Sequence, residues 1–518
     1  MKKILLFVSI TLLNLNFLFS QTQIGTDIDG VVAGDLLGTA VALNTDASQL
    51  AISVPGFTLS NGDNVGRIYL YDITNGSVNA QNFSLQGTIN GTNFGAHLDF
   101  IGSNMNNQQV LLFSSPRENT NGPLKGSVSV VFSGNAGWGS PSILTYGEND
   151  YDGVSAISLS KNGSLAAVAS YANNANGIGS NTGHVRVFNI TGSQKGSDID
   201  GIESGESFGT SVDLSEDGSI VAAGGIFNNT NGTQSGVARV YYYDAASIQP
   251  GWYLKGSEIN GQNAREFFGQ SVALSNDGNT LAVGATGTGT PNGLVRIYSF
   301  NSANNNWEQI GNDLIGENVN HGFGQKVKIS DDGSLVLISA PRNNNTGAGV
   351  GAVYLYKNVN ETWVKQGNTL FGENNGDKFG ESIGISNNGN KVVVGSRFNT
   401  NGTGSVRVFN YSSVLSNNDI LLEKNTKIYP IPTKGIINII NKSFNNVKVK
   451  VLDERIREQN TLNSSLEKFI ESGLSIANDL QNSTHRWNPA YSIGSVISRT
   501  NRLAVCQGLD RTSRQAGI

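Results

Sequence analysis

The sequence repeats one short pattern seven times at a nearly constant interval. The pattern centres on a Phe-Gly pair or its equivalent, and its glycine recurs every 55–60 residues, as Gly38, Gly95, Gly153, Gly209, Gly269, Gly324 and Gly380. A regular period of this length is typical of a repeat architecture, in which each copy is one small unit that packs against its neighbours. We therefore expect seven related units rather than several independent domains.

The copy at Phe267–Ala285 predicts two strands joined by a turn. Its segment SVALS alternates apolar and polar residues, NDGN is typical of a tight turn, and LAVGA is a short apolar run. A third strand follows a glycine, as in GLVRIYSF (Gly293–Phe300). A fourth often begins at a tryptophan, namely Trp252, Trp307 or Trp363. Each unit should thus form a four-stranded antiparallel sheet.

Seven such sheets around one axis make a seven-bladed β-propeller, which protects its sheet edges by closing the ring. The last unit lacks a fourth strand after Tyr411, whereas IGTDIDG (Ile24–Gly30) precedes the first unit and matches the fourth strand KGSDIDG (Lys195–Gly201). We therefore expect residues 21–411 to form an all-β propeller whose N-terminal strand closes the last blade. The 64 glycines fit a fold with many tight turns.

The repeats resemble a known family. The Phe-Gly pair, the second strand ending in LAVGA or LISAP (Leu337–Pro341), and the GxVxVY-like third strand resemble FG-GAP repeats, the blades of the integrin α-subunit head. The resemblance covers Ile24–Tyr411 and is weakest in the third copy, where Asp152-Gly153 replaces Phe-Gly. It implies a role in adhesion or recognition, and it implies calcium loops of the form DxDxDG between first and second strands.

The turns at those positions lack most of the carboxylates of a calcium loop. They read LSNDGN (Leu274–Asn279), LSEDGS (Leu214–Ser219), ISDDGS (Ile329–Ser334) and ISNNGN (Ile385–Asn390). Calcium takes about six to eight oxygen ligands, whereas Asp-Gly and Asn-Gly pairs are typical of tight hairpin turns. We expect turns, no metal site and no cofactor, with calcium binding left open.

The N-terminus indicates export. Residues 1–20, MKKILLFVSITLLNLNFLFS, have two lysines, an apolar run too short to span a bilayer, and a small final residue, which together are typical of a secretory signal peptide. We expect no membrane span. The net charge of −5 and the absence of a basic block argue against a nucleic-acid partner.

The C-terminal region predicts a second module. After a linker over residues 412–425, KIYPIPTKGIINI (Lys427–Ile439) and VKVKVLD (Val447–Asp453) predict a small β module over residues 426–453. It resembles the type A C-terminal sorting domain of the type IX secretion system of Bacteroidetes. The resemblance implies that the type IX export machinery is a partner and that the protein is secreted or lies on the outer cell surface. Residues 454–518 depart from the pattern, and we expect an atypical tail, disordered or frame-changed.

The sequence gives no grouping of residues that argues for catalysis. Acidic residues recur before the Phe-Gly pair, and because they repeat with the scaffold we expect solvated loop charges: Glu148, Glu206, Glu317, Glu373 and Asp377. The histidines are isolated, without metal-ligand spacing: His97, His184, His321 and His485. We expect no catalytic residue.

The irregular loops are the better functional candidates. Within an antiparallel blade, the loop between the second and third strands shares a face with the loop to the next blade. Arginine and aromatic side chains, which often anchor interfaces, begin five of these loops, and we predict them as ligand-binding residues: Arg117, Tyr171, Phe227, Arg342 and Arg397.

The leading hypothesis is a secreted or cell-surface protein that binds a protein or glycan through this face without catalysis. One alternative is a secreted polysaccharide hydrolase or lyase that uses carboxylates on the face. The other is a structural spacer.

Overall fold

Each repeat folds into a small antiparallel sheet, and seven such sheets form the blades of a propeller, which confirms the predicted fold class. The computed structural model describes residues 19–413, except 75, 103–107, 135–136, 175–178 and 288–291, and four strands beyond residue 425. Residues Gln21–Tyr411 form one compact unit. Residues 1–18 of the predicted signal peptide and most of the predicted tail lie outside the described residues.

The first strands of the chain belong to the last blade, and the next three blades follow in sequence order. The N-terminal segment supplies β1 (Phe19–Gln23) and β2 (Ile28–Asp29). Blade 1 contains β3 (Val41–Leu43), β4 (Gln49–Val54), β5 (Arg67–Thr74) and β6 (Ser77–Gln86). Blade 2 contains β7 (Leu98–Ile101), β8 (Val110–Ser115), β9 (Ser127–Gly134), β10 (Gly137–Trp138) and β11 (Ser142–Tyr146). Blade 3 contains β12 (Ala156–Leu159), β13 (Leu165–Ser170), β14 (His184–Asn189) and β15 (Ile199–Asp200).

Blades 4 to 7 repeat this plan, with the fourth strand of most blades split in two. Blade 4 contains β16 (Phe208–Leu214), β17 (Ile220–Gly225), β18 (Val237–Asp244), β19 (Gly251–Leu254) and β20 (Ile259–Asn260). Blade 5 contains β21 (Phe268–Leu274), β22 (Thr280–Ala285), β23 (Leu294–Asn301), β24 (Asn306–Gln309) and β25 (Leu314–Ile315). Blade 6 contains β26 (Val327–Ile329), β27 (Leu335–Ala340), β28 (Ala352–Val359), β29 (Thr362–Lys365) and β30 (Leu370–Phe371).

Blade 7 combines both ends of the propeller. It contains β31 (Ser382–Ile385), β32 (Lys391–Ser396) and β33 (Ser405–Ser413), and β1 and β2 pair with β33 as its fourth strand. A single helical turn, α1 (Asn399–Gly402), lies between β32 and β33. Beyond the propeller, a four-stranded sheet consists of β34 (Thr426–Ile431), β35 (Ile436–Asn441), β36 (Val447–Lys450) and β37 (Ala477–Asn478).

The hydrophobic core lies between the blades. The buried apolar residues form seven clusters, and each cluster joins two neighbouring blades. One of them packs Val393, Val406 and Val408 of blade 7 against Leu50 and Ile52 of blade 1. An open row of seven blades has only six such interfaces, so the seventh cluster is the packing that closes the ring.

The repeated glycines make close contact between blades possible, and we call these seven the junction glycines. All have positive φ, from 61° to 97°, a conformation that favours glycine. A Cβ atom on Gly269 would lie only 2.3 Å from the carbonyl oxygen of Val237 in the preceding blade. At Gly38 it would lie 2.8 Å from Val406 of blade 7. The glycine is therefore required both for backbone conformation and for space.

A serine in the first strand, or just before it, connects each of several blades to the next junction glycine. The Oγ atoms of Ser155, Ser211 and Ser271 donate hydrogen bonds to the carbonyl oxygens of Gly209, Gly269 and Gly324, at 2.7–2.9 Å. The same contact closes the ring, since Ser382 Oγ donates to Gly38 O at 2.7 Å. Blade 7 thus holds blade 1 as the other blades hold their successors.

The N-terminal segment completes blade 7 as the sequence predicts. Ile28 pairs with Val406, and the backbone N–H of Ile24 donates to Val408 O at 2.8 Å. Gln21 also reaches blade 6, because its side chain donates to Asn368 O at 2.5 Å and accepts from Asn368 N at 3.0 Å. The segment therefore joins the two ends of the propeller through both sheet pairing and side-chain contacts.

The Asp-Gly turns are held by their own side chains. In the turn of blade 5, Asp277 Oδ1 accepts hydrogen bonds from Ser275 Oγ at 2.5 Å and Asn279 N at 3.0 Å. Equivalent bonds recur at Asp217, Asp332 and Asn388. Burial alone would raise the pKa of Asp277, but these hydrogen bonds outweigh it and the pKa lies below its usual range. The carboxylate thus stabilises the turn.

A chain of backbone hydrogen bonds links these turns around the axis. The N–H groups of Asn162, Glu216, Asn276 and Asp331 donate in turn to the carbonyl oxygens of Glu216, Asn276, Asp331 and Asn387, at 2.8–3.0 Å. Each bond joins one blade to the next, from blade 3 to blade 7. The turns therefore stabilise the ring at the end opposite the irregular loops.

Deleting residues 21–30 should destabilise the propeller strongly. The deletion removes Ile24 and Ile28 from the cluster between blades 7 and 1, and loss of one packed isoleucine costs about 2–5 kcal/mol. We expect a large fall in the melting temperature. A peptide of residues 21–30 added in trans should restore it, and the same peptide with I24S and I28S should not. An unchanged melting temperature in the deletion variant would contradict the closure.

Asp277→Ala should destabilise the protein by about 1 kcal/mol at pH 7, because the turn loses its acceptor. Asp277→Asn should destabilise the protein less, since Asn388 accepts the equivalent hydrogen bonds in blade 7. Because the pKa of Asp277 is lower in the folded protein, its charge stabilises the fold above the unfolded pKa and this contribution is lost as the pH falls below about 4. Urea unfolding at pH 7 and pH 3 measures this, and an equal gap between wild type and Asp277→Asn at both pH values would refute it.

Candidate functional site

The five predicted binding residues all lie just after the second strand of a blade, on the end of the propeller that carries the irregular loops. We define this loop face by the loops between second and third strands and the loops between consecutive blades. The backbone there is fixed by one recurring hydrogen bond to the preceding loop. The N–H groups of Arg117, Phe227 and Arg342 donate to the carbonyl oxygens of Thr92, Glu206 and His321, at 3.0–3.1 Å.

The surroundings of the five side chains differ. Arg117 and Tyr171 are exposed. Phe227 packs edge-on against Phe267, with ring centroids 5.8 Å apart. Arg397 lies 3.5 Å from Glu381 and over the ring of Phe398, so it is partly engaged within blade 7. Arg342 lines a depression in the face.

The depression lies where blades 5 and 6 meet on the loop face. Its volume is about 580 Å³, and its lining combines one aromatic, one cationic and several amide side chains: Phe267, Gln270, Thr286, Gly287, Asn320, Gln325 and Arg342. Through Phe267 it is continuous with Phe227. The structure therefore brings Phe227 and Arg342, from blades 4 and 6, to one region of the face.

Phe267 is the aromatic lining residue, and the sequence analysis did not predict it as a binding residue. It lies two residues before the junction glycine, and every blade has positive φ at this position: Leu36, Asn93, Tyr151, Ser207, Phe267, Gly322 and Lys378. For residues other than glycine this conformation costs about 1–2 kcal/mol. The backbone is therefore strained in every copy except blade 6, which has Gly322, while the side chain varies. Alignment on the junction glycine could have identified the position.

The acids that precede the junction glycine belong to the scaffold in several blades. Glu206 is fully buried; it accepts hydrogen bonds from the N–H groups of Ile202 and Glu203 and pairs with Arg239 at 2.7 Å. Burial alone would lower the pKa of Arg239, but Glu206 and then Glu258 raise it. In blade 5, Glu266 is equally buried and pairs with Arg296.

The expectation of solvated charges is therefore wrong for two of the five recurring acids. Asp377 is also buried and accepts hydrogen bonds from the N–H groups of Glu373 and Asn374, at 3.0 and 2.7 Å. Glu206 and Asp377 are buried because the tight loop between blades leaves N–H groups that need an acceptor. Glu148, Glu317 and Glu373 are more exposed, as expected.

The central channel contains a small cavity with several charged side chains. First strands of all seven blades line a cavity of about 120 Å³ near the turns. There Lys161 pairs with Asp331, and the carboxylate of Asp99 accepts a hydrogen bond from Leu159 N at 2.7 Å. Burial lowers the pKa of Lys161 and raises that of Asp99. A cavity of this size holds only a few water molecules.

Among the described residues, half of the exposed large apolar side chains lie on the loop face. Five loops between blades and two loops within blades carry them, with 38–90% of each residue exposed: Val31, Val32, Ile89, Tyr151, Ile202 and Val319, and then Leu124 and Tyr171. The other exposed large apolar residues lie on outer strands and their hairpins. Among the described residues, the turns between first and second strands carry none.

The comparisons with known proteins add no assignment. No protein-family model matches the chain, and no curated protein matches it. Among the described residues, none of the helices has the length and apolar character that crossing a membrane requires. Within the described part of the chain, one group of side chains has the composition of a metal site: Glu148, His184 and Asp198 in blade 3.

Glu266→Gln should lower the free energy of unfolding by about 3 kcal/mol, and this effect should be seen in the absence of any ligand. Removing one partner of a buried ion pair leaves Arg296 with only Asp313, and such a loss costs about 3–5 kcal/mol. The matched control is Glu361→Gln, an exposed position where we expect less than about 0.5 kcal/mol. Equal effects of the two substitutions in urea unfolding would show that Glu266 is not structural.

Proposed function

We propose that this chain is a binding or adhesion protein that recognises a macromolecular partner through the loop face, without catalysis. The seven-bladed propeller is compatible with such a role, but a fold by itself assigns no function. The proposal therefore depends on what the loop face presents to solvent.

The apolar side chains of the loop face carry the proposal. They occupy loops around the ring, from Val31 at the entrance of blade 1 to Val319 at the entrance of blade 6. Exposed apolar side chains can contribute to interaction sites, and the described turns at the opposite end of the propeller carry none. A set spread over several blades fits a large partner better than a small molecule. Most of these side chains are valine, isoleucine or leucine, which form no hydrogen bond with sugar hydroxyls, so we favour a protein over a glycan.

The depression between blades 5 and 6 supplies an anchor point within this surface. Aromatic and arginine side chains in pockets dominate binding energy at many interfaces. Phe267 and Arg342 line the depression, and Phe227 supports Phe267 from the side. We assign the strongest contacts to these three residues. Arg117, Tyr171 and Arg397 are assigned to the surrounding contact surface.

The alternative of a polysaccharide hydrolase or lyase has less support. Such an enzyme needs carboxylates that are free to act on the substrate. Glu206, Glu266 and Asp377 instead accept loop N–H groups or pair with arginine. A structural spacer would not need the exposed apolar residues of the loop face.

Location and family membership are part of the same proposal. The FG-GAP resemblance, the signal-like residues 1–20 and the sorting-domain-like segment Lys427–Ile439 support a protein that is exported by type IX machinery and acts outside the cell or on its surface. The partner that binds the loop face would then be a molecule found outside the cell or on its surface.

A panel of extracellular proteins and glycans, screened against the immobilised full chain, tests the proposal. We expect a protein to be retained. Phe267→Asn combined with Arg342→Ala should weaken its binding at least about 30-fold, the loss typical of hot-spot residues. Asparagine suits the site because Asn93 holds the same position in blade 2.

The control is Glu216→Ala, whose exposed side chain lies on a turn at the opposite end of the propeller. It should bind like the wild type, and all variants should melt at similar temperatures. If only glycans were retained, the partner would be a glycan and the proposal of a protein partner would be wrong. Turnover of a polysaccharide, or equal weakening by the control variant, would overturn the proposal.

A further inference from the structure

Three side chains that are far apart in sequence meet in blade 3. Glu148 lies in the loop that enters the blade, His184 is the first residue of β14, and Asp198 lies just before β15. His184 Nδ1 is 3.6 Å from Glu148 Oε2 and 3.6 Å from Asp198 Oδ2. The three atoms lie within 4.8 Å of one another. No sequence spacing could have indicated this group, because its members come from three separate elements.

The histidine of this group is buried without a hydrogen bond. Only 1% of His184 is exposed, and neither of its ring nitrogens has a hydrogen-bond partner among the described residues. Buried polar groups in native proteins are nearly always hydrogen-bonded, and each exception needs an explanation, such as a bound ion. The two carboxylate oxygens faced by Nδ1 are slightly too far away to act as acceptors.

Blade 3 departs here from the pattern of blades 4 and 5. In those blades the acid of the fourth strand, Glu258 or Asp313, accepts a hydrogen bond from the Nε of the arginine in the third strand. In blade 3 the corresponding acid is Asp198, which faces His184 instead. The Nε of Arg186 consequently has no hydrogen-bond partner among the described residues. The position of His184 is occupied by Val237 and Leu294 in the other two blades.

The neighbours of the two carboxylates fix their orientation. Gln194 Nε2 donates to Asp198 Oδ1 at 2.6 Å, which leaves Oδ2 directed at His184. Glu148 Oε1 lies 3.6 Å from Arg186 Nη1, so Oε2 is the atom near the histidine. Outer contacts of this kind orient metal ligands. Each carboxylate thus has one oxygen held by a neighbour and one available.

We propose that Glu148, His184 and Asp198 bind a divalent transition-metal ion of the zinc type. Zinc bonds to nitrogen and oxygen of about 2.0–2.2 Å place tetrahedral ligand atoms about 3.3–3.6 Å apart, which matches the two distances of 3.6 Å from Nδ1. The ion would give the buried imidazole a partner and relieve the repulsion between two neighbouring carboxylates. The mixture of one nitrogen and two oxygens suits zinc better than calcium, which prefers oxygen alone.

The fourth coordination position would face solvent. The side chain of Glu148 is 39% exposed, whereas that of Asp198 is 18% and that of His184 1% exposed. Three protein ligands with one open position allow water or a carboxylate from a partner to complete the coordination. This site does not depend on the proposed binding function and replaces our expectation that the protein has no metal site.

Calorimetric titration of the metal-free full chain with Zn²⁺ tests the proposal. We expect one site in the wild type that is weakened at least about 100-fold by His184→Val and by Asp198→Asn. Valine is chosen because blade 4 already has Val237 there, so the variant should fold. Its melting temperature without metal should equal or exceed that of the wild type, since a buried unpaired imidazole is removed.

A second readout separates this site from other zinc ligands in the chain. Titration with Co²⁺ should produce a visible absorption band in the wild type and in His321→Asn, a control histidine in a different blade, but not in His184→Val. Absence of stoichiometric metal binding by the wild type would overturn the proposal. Binding of undiminished affinity in His184→Val would equally overturn it.

Discussion

The close approach of most junction glycines to the preceding blade is the constraint on which the propeller depends. All seven junction glycines have positive φ, and at most of them a Cβ atom would crowd the neighbouring blade. The adjacent phenylalanine, as in Phe208, Phe268, Phe323 and Phe379, then fills the space between the blades and is almost completely buried. Because Gly38 makes this contact with blade 7, the rule that joins neighbours also closes the ring.

A scaffold fixed in this way leaves its loops free to differ. At one end, the polar side chains of the turns form hydrogen bonds within the turns. The buried acids of the loops between blades accept hydrogen bonds from backbone N–H groups or pair with arginines. The strained position before the junction glycine is imposed by the backbone, yet it accepts Leu36, Asn93 or Phe267. The side chains that distinguish one blade from another are therefore found on the loop face and, in blade 3, at His184.

The repeat determined how much could be predicted from the sequence. Blade number, the turns and the N-terminal strand follow from a local pattern that recurs, so one copy explains the others. Burial of Glu206 and Asp377 could not be predicted, because an acid in a loop has the same sequence signature whether solvent or loop N–H groups surround it. The depression at Phe267 and the group at His184 depend on side chains from different blades or elements, which spacing along the chain does not encode.

The central claim is that residues 21–30 are an integral strand of blade 7. Hydrogen exchange of the intact protein tests it most directly, because the N–H groups of Ile24 and Gly30 donate to Val408 and Gly404 in the closed ring. The account predicts that peptides covering this segment exchange as slowly as those from β32 in the same blade. Exchange at the rate of an unstructured peptide, with β32 still protected, would contradict it.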